Sequence, residues 1–161
     1  MTAGLAATNI TRTYVRHGSS RTALDAVSLS LPPAGRVAVV GESGSGKTTV
    51  LRMLLALDSP DAGTVELEGR NVRPGSARSL RWFRRLVQYV PQDPATSLDP
   101  RRSVLDLVAT PLRLLGIDGD HRAKAGAALA AVGLDQRYLQ RRPTELSGGQ
   151  NQRVAIARAV A

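Results

Sequence analysis

The feature that most constrains the fold is an eight-residue motif that directly follows a short apolar run. The run is Val37–Val40, and the motif consists of Gly41, Glu42, Ser43, Gly44, Ser45, Gly46, Lys47 and Thr48. A continuous apolar run of this length is typical of a buried parallel strand. Apolar residues at helical spacing then fill residues 46–57. The sequence therefore predicts a strand, a glycine-rich turn and a helix in succession.

The motif has the spacing G-x-x-x-x-G-K-T, which is typical of a loop that binds the phosphates of a nucleotide. Glycines let backbone N–H groups approach an anion closely, and the positive end of the helix dipole favours negative charge there. We expect Lys47 to reach the β- and γ-phosphates, the Thr48 hydroxyl to bind Mg²⁺ and Thr49 to contact the α-phosphate. A turn that merely connects a strand to a helix explains the complete motif less well.

The rest of the chain divides into a strand-rich first part and a helical second part. Apolar patterns predict strands over residues 8–15, 27–31, 64–68 and 86–90, with a polar turn over 16–22. Helices are predicted over residues 76–85, 104–115, 123–132, 135–140 and 148–161, and Pro111 is expected to kink or split the second of these. We therefore expect one α/β domain with a β-subdomain and phosphate-loop core over 1–99, a helical subdomain over 100–145 and a final segment over 146–161.

The composition limits the compartment and the chemistry. The 161 residues include no cysteine, which excludes a disulfide framework, a cysteine zinc site and thiol catalysis. No apolar run approaches the roughly 20 residues of a membrane helix, so we expect a cytosolic chain whose membrane role comes through a partner. The net charge of +9 leaves two interpretations open, a surface for nucleic acid or anionic lipid, or ordinary solvated faces. Because the arginines are dispersed, they favour the second.

A second glycine motif, Leu146–Gln150, has the sequence LSGGQ. Ser147 is a good helix N-cap, and Gly148 and Gly149 would expose backbone N–H groups at the start of a helix. Taken alone, these residues fit a second anion-binding helix end and a simple capped helix equally well.

The two motifs in this order resemble the nucleotide-binding subunits of ABC transporters. LSGGQ followed by residues 151–159 resembles the signature motif and helix of that family, and Gln92 resembles its Q-loop glutamine. Tyr14 resembles the aromatic residue that stacks on adenine, with packing at a strand end as the alternative role. Residues 92–100 are similar to the version in peptide and nickel importers, although those usually carry Asn where Asp99 stands.

The resemblance implies an α/β fold with a P-loop NTPase core, an N-terminal antiparallel β-subdomain and an inserted α-helical subdomain. It implies ATP and Mg²⁺ as cofactors, Lys47 and Gln92 as catalytic residues, and Thr48 and Gln92 as Mg²⁺ contacts. A second ATPase subunit, identical or different, would cover the bound ATP in trans through its Ser147, Gly148, Gly149 and Gln150. The other implied partners are integral membrane permease subunits and, indirectly, a solute-binding protein. The implied location is the cytoplasmic face of the membrane, and no nucleic acid is expected.

Three later landmarks of the family have no match in the sequence. The Walker B aspartate, the catalytic glutamate and the switch histidine should all follow the signature motif, whereas His17 and His121 precede it. The aspartate anchors Mg²⁺ and the glutamate activates the attacking water in such enzymes. We therefore expect the N-terminal part of an ABC ATPase, incomplete at its C-terminus. Residues 1–161 alone are expected to bind nucleotide poorly, to hydrolyse no ATP and to aggregate.

The resemblance favours the ATP-hydrolysing motor subunit of an importer for peptides, nickel or a similar small solute. Two other functions stay open. One is a soluble ABC ATPase that acts on nucleic acid or ribosomes, and the other is a non-catalytic, truncated cassette.

Overall fold

The computed structural model of the chain describes residues 4–16 and 18–161. His17, which the sequence analysis sets aside as a switch residue, lies outside these ranges. The chain divides into two compact units, Met1–Phe83 and Arg84–Ala161. The functional subdivision at residues 99 and 145 stays a prediction.

The first unit is built on an antiparallel sheet. Its strands are β1 (Leu5–Arg16), β2 (Ser19–Leu31), β3 (Ala62–Leu67) and β4 (Arg70–Asn71), in the order β2-β1-β3-β4. Helix α1 (Lys47–Leu54) contributes Val50 and Met53 to the interior. The sheet contributes further buried apolar side chains, including Ala7, Ile10, Leu24, Val65 and Leu67. This sheet confirms the predicted antiparallel β-subdomain.

The second unit is helical. It contains α3 (Val104–Leu115), α4 (His121–Ala131) and α5 (Gly148–Val160), with 3₁₀ turns at Ala95–Ser97, Gln136–Tyr138 and Pro143–Glu145. A four-residue helix, α2 (Arg81–Arg84), stands at the boundary between the units. The α3, α4 and α5 helices share one apolar core, in which Val104, Val108, Leu129, Val154 and Ala157 are completely buried.

Local signals position these helices. The Ser103 hydroxyl accepts a hydrogen bond from the Asp106 N–H at the start of α3, and the Asp120 carboxylate accepts two at the start of α4. Pro111 lies inside α3, but the helix continues from Val104 to Leu115 and is not split. Apolar packing of α3 against both other helices outweighs the one backbone hydrogen bond that a proline cannot donate.

Two predicted strands are wrong. Residues 37–40 and 86–90 form neither helix nor strand, and Val40 is 90% exposed and Leu86 63% exposed. A parallel strand forms only where neighbouring strands satisfy its backbone N–H and C=O groups. Among the described residues the sheet consists of the four antiparallel strands, and neither run pairs with it. An apolar run alone is therefore not sufficient to form a strand at these two places.

Several other boundaries differ from the predictions. The turn predicted over 16–22 is shorter, since β2 begins at Ser19, and the helix predicted over 46–57 ends at Leu54. Residues 135–140 form only the 3₁₀ turn Gln136–Tyr138. In the helix predicted over 76–85, only Arg81–Arg84 is helical, and residues 77–80 form a turn in which the Ser76 hydroxyl accepts the Ser79 N–H at 3.1 Å. Within the described residues, no helix combines the length and the apolar character that crossing a membrane requires.

Candidate functional site

The glycine loop of the first unit has the backbone shape that its sequence predicts. Gly46 is the N-cap of α1 at a φ of 92°, and Gly44 has a φ of 82°. A Cβ atom on Gly46 would lie 2.6 Å from the carbonyl oxygen of Ala23 in β2. Glycine is therefore required at position 46 both by the backbone conformation and by the close approach of β2.

Lys47 folds back over this loop. Its Nζ donates hydrogen bonds to the Gly41 carbonyl at 2.8 Å and the Glu42 carbonyl at 2.6 Å, with a longer contact to the Ser45 hydroxyl at 3.4 Å. The Ser45 N–H also donates to the Glu42 carbonyl at 3.2 Å. The loop carbonyls thus hold the Lys47 ammonium in place. An anion that binds at the loop must replace these carbonyls as the acceptor of the Lys47 hydrogen bonds.

A cavity of about 390 Å³ lies against the loop. Its lining comprises Tyr14, Arg21, Ala23, Ser43, Gly44, Gly46, Lys47, Thr48 and Thr49. The volume falls in the range of small-molecule sites. The structure therefore brings Tyr14, which was predicted from the family resemblance, to the same cavity as Lys47, Thr48 and Thr49, which were predicted from the glycine motif. Gly41, Glu42 and Ser45 belong to the loop but not to the lining.

Sequence reasoning missed Arg21. In the antiparallel register of β1 and β2 it lies directly opposite Tyr14, and its Nη2 donates to the Gly44 carbonyl at 3.4 Å. The hairpin register is the signal that would have found it, but the predicted turn over 16–22 placed Arg21 outside the strand. Arg21 adds a second cationic side chain to the cavity beside Lys47.

The residues at the loop fit a triphosphate and a metal ion that arrives with it. Thr48 places a hydroxyl at the cavity. Among the described residues, no group of three or more His, Cys, Asp or Glu side chains could form a metal cage of its own. Mg²⁺ is commonly bound through a few protein oxygens and substrate phosphates, so this donor set suits Mg²⁺ carried by a nucleotide.

Tyr14 is embedded in a polar cluster. Its hydroxyl donates to Asp58 Oδ2 at 3.2 Å, and Arg12 pairs with Asp58 at 3.1 Å and with Asp61 at 2.7 Å. The Thr13 N–H also donates to Asp61 at 2.7 Å. The Thr13 N–H and then the Arg12 guanidinium lower the pKa of Asp61 below its ordinary value.

The second motif, in the other unit, forms the N-terminus of α5. The Ser147 hydroxyl accepts a hydrogen bond from the Gln150 N–H at 3.3 Å, and Gln150 Oε1 accepts one from the Ser147 N–H at 2.8 Å. This reciprocal capping box confirms Ser147 as the predicted N-cap. A Cβ atom on Gly148 or Gly149 would meet nothing within 4 Å. The packing of the described chain therefore does not require glycine at either position.

Gln92 is exposed and lies in an irregular segment before the 3₁₀ turn Ala95–Ser97. That turn is tied to α5 by Arg158, whose Nη1 donates to the Ser97 carbonyl at 2.9 Å and whose Nη2 donates to the Ser97 hydroxyl at 2.8 Å. Burial lowers the pKa of Arg158. Sequence reasoning missed this role, since Arg158 and Ser97 are 61 residues apart. Asp99 accepts hydrogen bonds from the N–H and Nε of Arg101, whose side chain lowers the pKa of Asp99.

Comparison with known proteins places this arrangement in a family. The profile of the family described as ABC transporter matches residues 24–161, which contain both glycine motifs. The chain belongs to the ABC transporter family. The fold agrees, since the dimeric ATP-binding cassette MJ0796 in a post-hydrolysis state with ADP and Pi superposes with a TM-score of 0.85 at 32% identity. The match covers 98% of this chain and 69% of MJ0796.

Curated relatives of this ABC cassette include two named import or transport subunits. The oligopeptide transport ATP-binding protein OppD of Mycobacterium tuberculosis is 44% identical over 140 residues, which is 86% of this chain and 23% of OppD. The nickel import ATP-binding protein NikE of Shigella boydii is 40% identical over 140 residues, which is 52% of NikE. The match therefore spans about a quarter of the length of OppD and about half of the length of NikE.

Proposed function

We propose that the chain is the nucleotide-binding part of the ATP-hydrolysing motor subunit of an ABC transporter. The observation that carries this proposal is the cavity at which Tyr14, Lys47, Thr48 and Thr49 converge. Lys47 and the N–H groups of the glycine loop bind the β- and γ-phosphates, Thr49 contacts the α-phosphate and Tyr14 stacks on the base. Mg²⁺ carried by the nucleotide would be held by the Thr48 hydroxyl and would neutralise charge on the phosphates, and the family resemblance adds Gln92 as a second proposed contact.

The proposal includes a second cassette. The N-terminus of α5 presents Gly148 and Gly149 with open space around both, which leaves room for a ligand or a partner to approach the backbone closely. We propose that Ser147, Gly148, Gly149 and Gln150 cover the triphosphate bound to another subunit. Dimeric MJ0796 cassettes, which share this fold, support such an assembly.

The transported solute is proposed from relatives alone. OppD is named for oligopeptide transport and NikE for nickel import, and these names favour import of peptides, nickel or a similar small solute through permease subunits in the membrane. A solute-binding protein completes the proposed system, with the motor subunit at the cytoplasmic face.

The decisive experiment measures ATP binding and hydrolysis by the full-length protein and by its Lys47→Ala variant. We expect MgATP binding with a loss of more than about tenfold in the variant, since Lys47 supplies the charge at the loop. Asp25→Ala, which removes an exposed carboxylate on β2, is the control and should bind normally. Equal ATP affinity in the wild type and Lys47→Ala would refute the proposed site.

Two further measurements on the full-length protein test the alternatives, a soluble ATPase that acts on nucleic acid or ribosomes and a non-catalytic cassette. A soluble ATPase acting on nucleic acid would shift RNA or DNA on a gel at physiological salt, and that complex would weaken steeply as salt rises. The net charge of +9 is the observation that makes this test worthwhile. A non-catalytic cassette would bind ATP without turnover, even together with its permease.

A further inference from the structure

Tyr14 contributes an aromatic ring to the cavity that also contains Lys47 and Thr48. The residue is 37% exposed, so part of the ring is available to a ligand. Stacking on an aromatic ring stabilises any nucleobase, but the gain depends on the ring being held in one orientation before the base arrives. The contacts that hold the ring are therefore part of the binding site.

Three side chains form a closed set of contacts around this ring. The Tyr14 hydroxyl donates to Asp58 Oδ2 at 3.2 Å, and Asp58 Oδ1 pairs with Arg12 Nη2 at 3.1 Å. The Arg12 guanidinium carbon lies 4.9 Å from the centroid of the Tyr14 ring, within cation–π distance. Each of the three residues thus contacts the other two, and we call this set the Tyr14 clamp.

The clamp is better shielded from water than an ordinary surface ion pair. The Arg12 and Asp58 side chains are only 24% and 19% exposed. Asp61 fixes Arg12 from a second direction at 2.7 Å, and it also accepts the Thr13 N–H of β1. Because Arg12 is held twice and faces the ring, the clamp restricts the side-chain rotation of Tyr14.

The clamp also connects the two ends of the site. Helix α1 begins at Lys47, beside the glycine loop, and Asp58 follows the last residue of that helix by one turn. The segment that begins at the phosphate-type loop therefore ends at the hydroxyl of the aromatic residue on β1. The segment 47–58 thus carries both the cation of the cavity and the carboxylate that accepts the Tyr14 hydroxyl.

We propose that Asp58, together with Arg12, is a positioning residue that orients Tyr14 and so sets the base-dependent part of nucleotide affinity. Asp58 does not contact the phosphates in this role and acts only through the tyrosine. The inference rests on the proposed function, in which the cavity binds ATP. It assigns to residues outside the glycine motif a function in nucleotide recognition.

The test compares MgATP with inorganic tripolyphosphate, which has the phosphates without the base. Asp58→Ala in the full-length protein should weaken MgATP binding roughly three- to tenfold, the effect of losing one hydrogen bond with its ring orientation. Binding of tripolyphosphate should stay within about twofold, because the glycine loop is unchanged. Asp58→Asn keeps an acceptor for the Tyr14 hydroxyl and should recover most of the lost affinity. Asp25→Ala on β2 is the control for loss of a carboxylate.

A double-mutant cycle makes the test specific. Tyr14→Phe removes only the hydroxyl, and it should lower MgATP affinity to a similar extent and leave tripolyphosphate unaffected. Asp58→Ala added to Tyr14→Phe should lower MgATP affinity by a clearly smaller factor than it does in the wild type, because the hydrogen bond is already lost. Three results would each overturn the clamp. The double variant could lose MgATP affinity by the product of the two single losses, the variants could lose affinity equally for MgATP and tripolyphosphate, or MgATP affinity could stay unchanged. Should Asp58→Ala fail to fold, the Tyr14→Phe and Asp58→Asn measurements decide.

The outcome is distinguishable from failure of the proposed function. If Lys47→Ala leaves MgATP binding unchanged, the cavity is not the nucleotide site. If Lys47→Ala abolishes binding while the Asp58 and Tyr14 variants bind both ligands normally, only the clamp is wrong.

Discussion

Alanine substitutions at three glycines should have effects of different sign and size, although both motifs read as glycine-rich. Gly46 has a positive φ and its Cβ would lie 2.6 Å from a backbone carbonyl, whereas Gly44 has a positive φ with only a flexible arginine nearby. Gly149 lies in the first turn of α5 with open space around it. The three positions therefore separate backbone strain from steric overlap and from simple helix propensity.

The structure gives a magnitude for each change. Gly44→Ala should lower the free energy of unfolding by about 1–2 kcal/mol, because alanine is strained in the left-handed backbone conformation. Gly46→Ala adds overpacking against the Ala23 carbonyl of β2, for a total of about 2–5 kcal/mol. Gly149→Ala should instead stabilise by about 0.5–1 kcal/mol, because alanine has less backbone freedom to lose in a helix.

The assay is urea unfolding of the full-length variants, followed by circular dichroism. The expected order of stability is Gly149→Ala, wild type, Gly44→Ala and Gly46→Ala, from highest to lowest. Gly46→Ala as stable as Gly44→Ala would refute the close approach of β2 to the loop. If Gly149→Ala destabilises, the helix N-terminus makes contacts that the described chain does not contain.

Three further outcomes are expected. Leu129→Ala should lower the free energy of unfolding by about 2–5 kcal/mol in the same assay, since Leu129 is completely buried in the core shared by α3, α4 and α5. A decrease below about 1 kcal/mol would contradict that packing. The pKa values of three carboxylates are lowered, that of Asp61 by the Thr13 N–H and Arg12, that of Asp99 by Arg101 and that of Asp135 by Arg137. These carboxylates therefore stabilise the fold above their ordinary pKa, and the free energy of unfolding should fall as the pH drops below about 4. A free energy of unfolding that rises on acidification in this range would contradict the direction of these shifts. Residues 1–161 on their own should self-associate in light scattering, because Val39, Val40 and Leu86 are exposed, and serine at these three positions should reduce the association.

The helical unit could be predicted well because its signals are local. The period of apolar residues gave α3 from Val104 to Leu115, and the LSGGQ motif gave the start of α5 with Ser147 as its cap. Caps and helical periodicity depend on residues within one or two turns, so a single sequence contains all of the information. The antiparallel strands β1 and β3 were predicted for the same reason, from alternation along each strand.

The two wrong strands occurred where structure depends on distant partners. Residues 37–40 and 86–90 have the apolar pattern of buried strands, but a strand also needs neighbours that pair with it, and composition does not supply them. The candidate site shows the same division. The glycine loop was visible as a motif, whereas Arg21 and the Asp58–Arg12 pair enter the site only through the register of β1 and the path of the chain after α1.

The capping box of α5 has a consequence for the chemistry of Ser147. Its oxygen accepts the Gln150 N–H, and the hydroxyl keeps its own hydrogen for donation to another group. An aspartate would cap the helix equally well, but it would bring a negative charge and no hydrogen to donate. Ser147→Asp therefore keeps the cap of α5 but replaces a group that can donate a hydrogen bond to an approaching anion with a carboxylate that repels it.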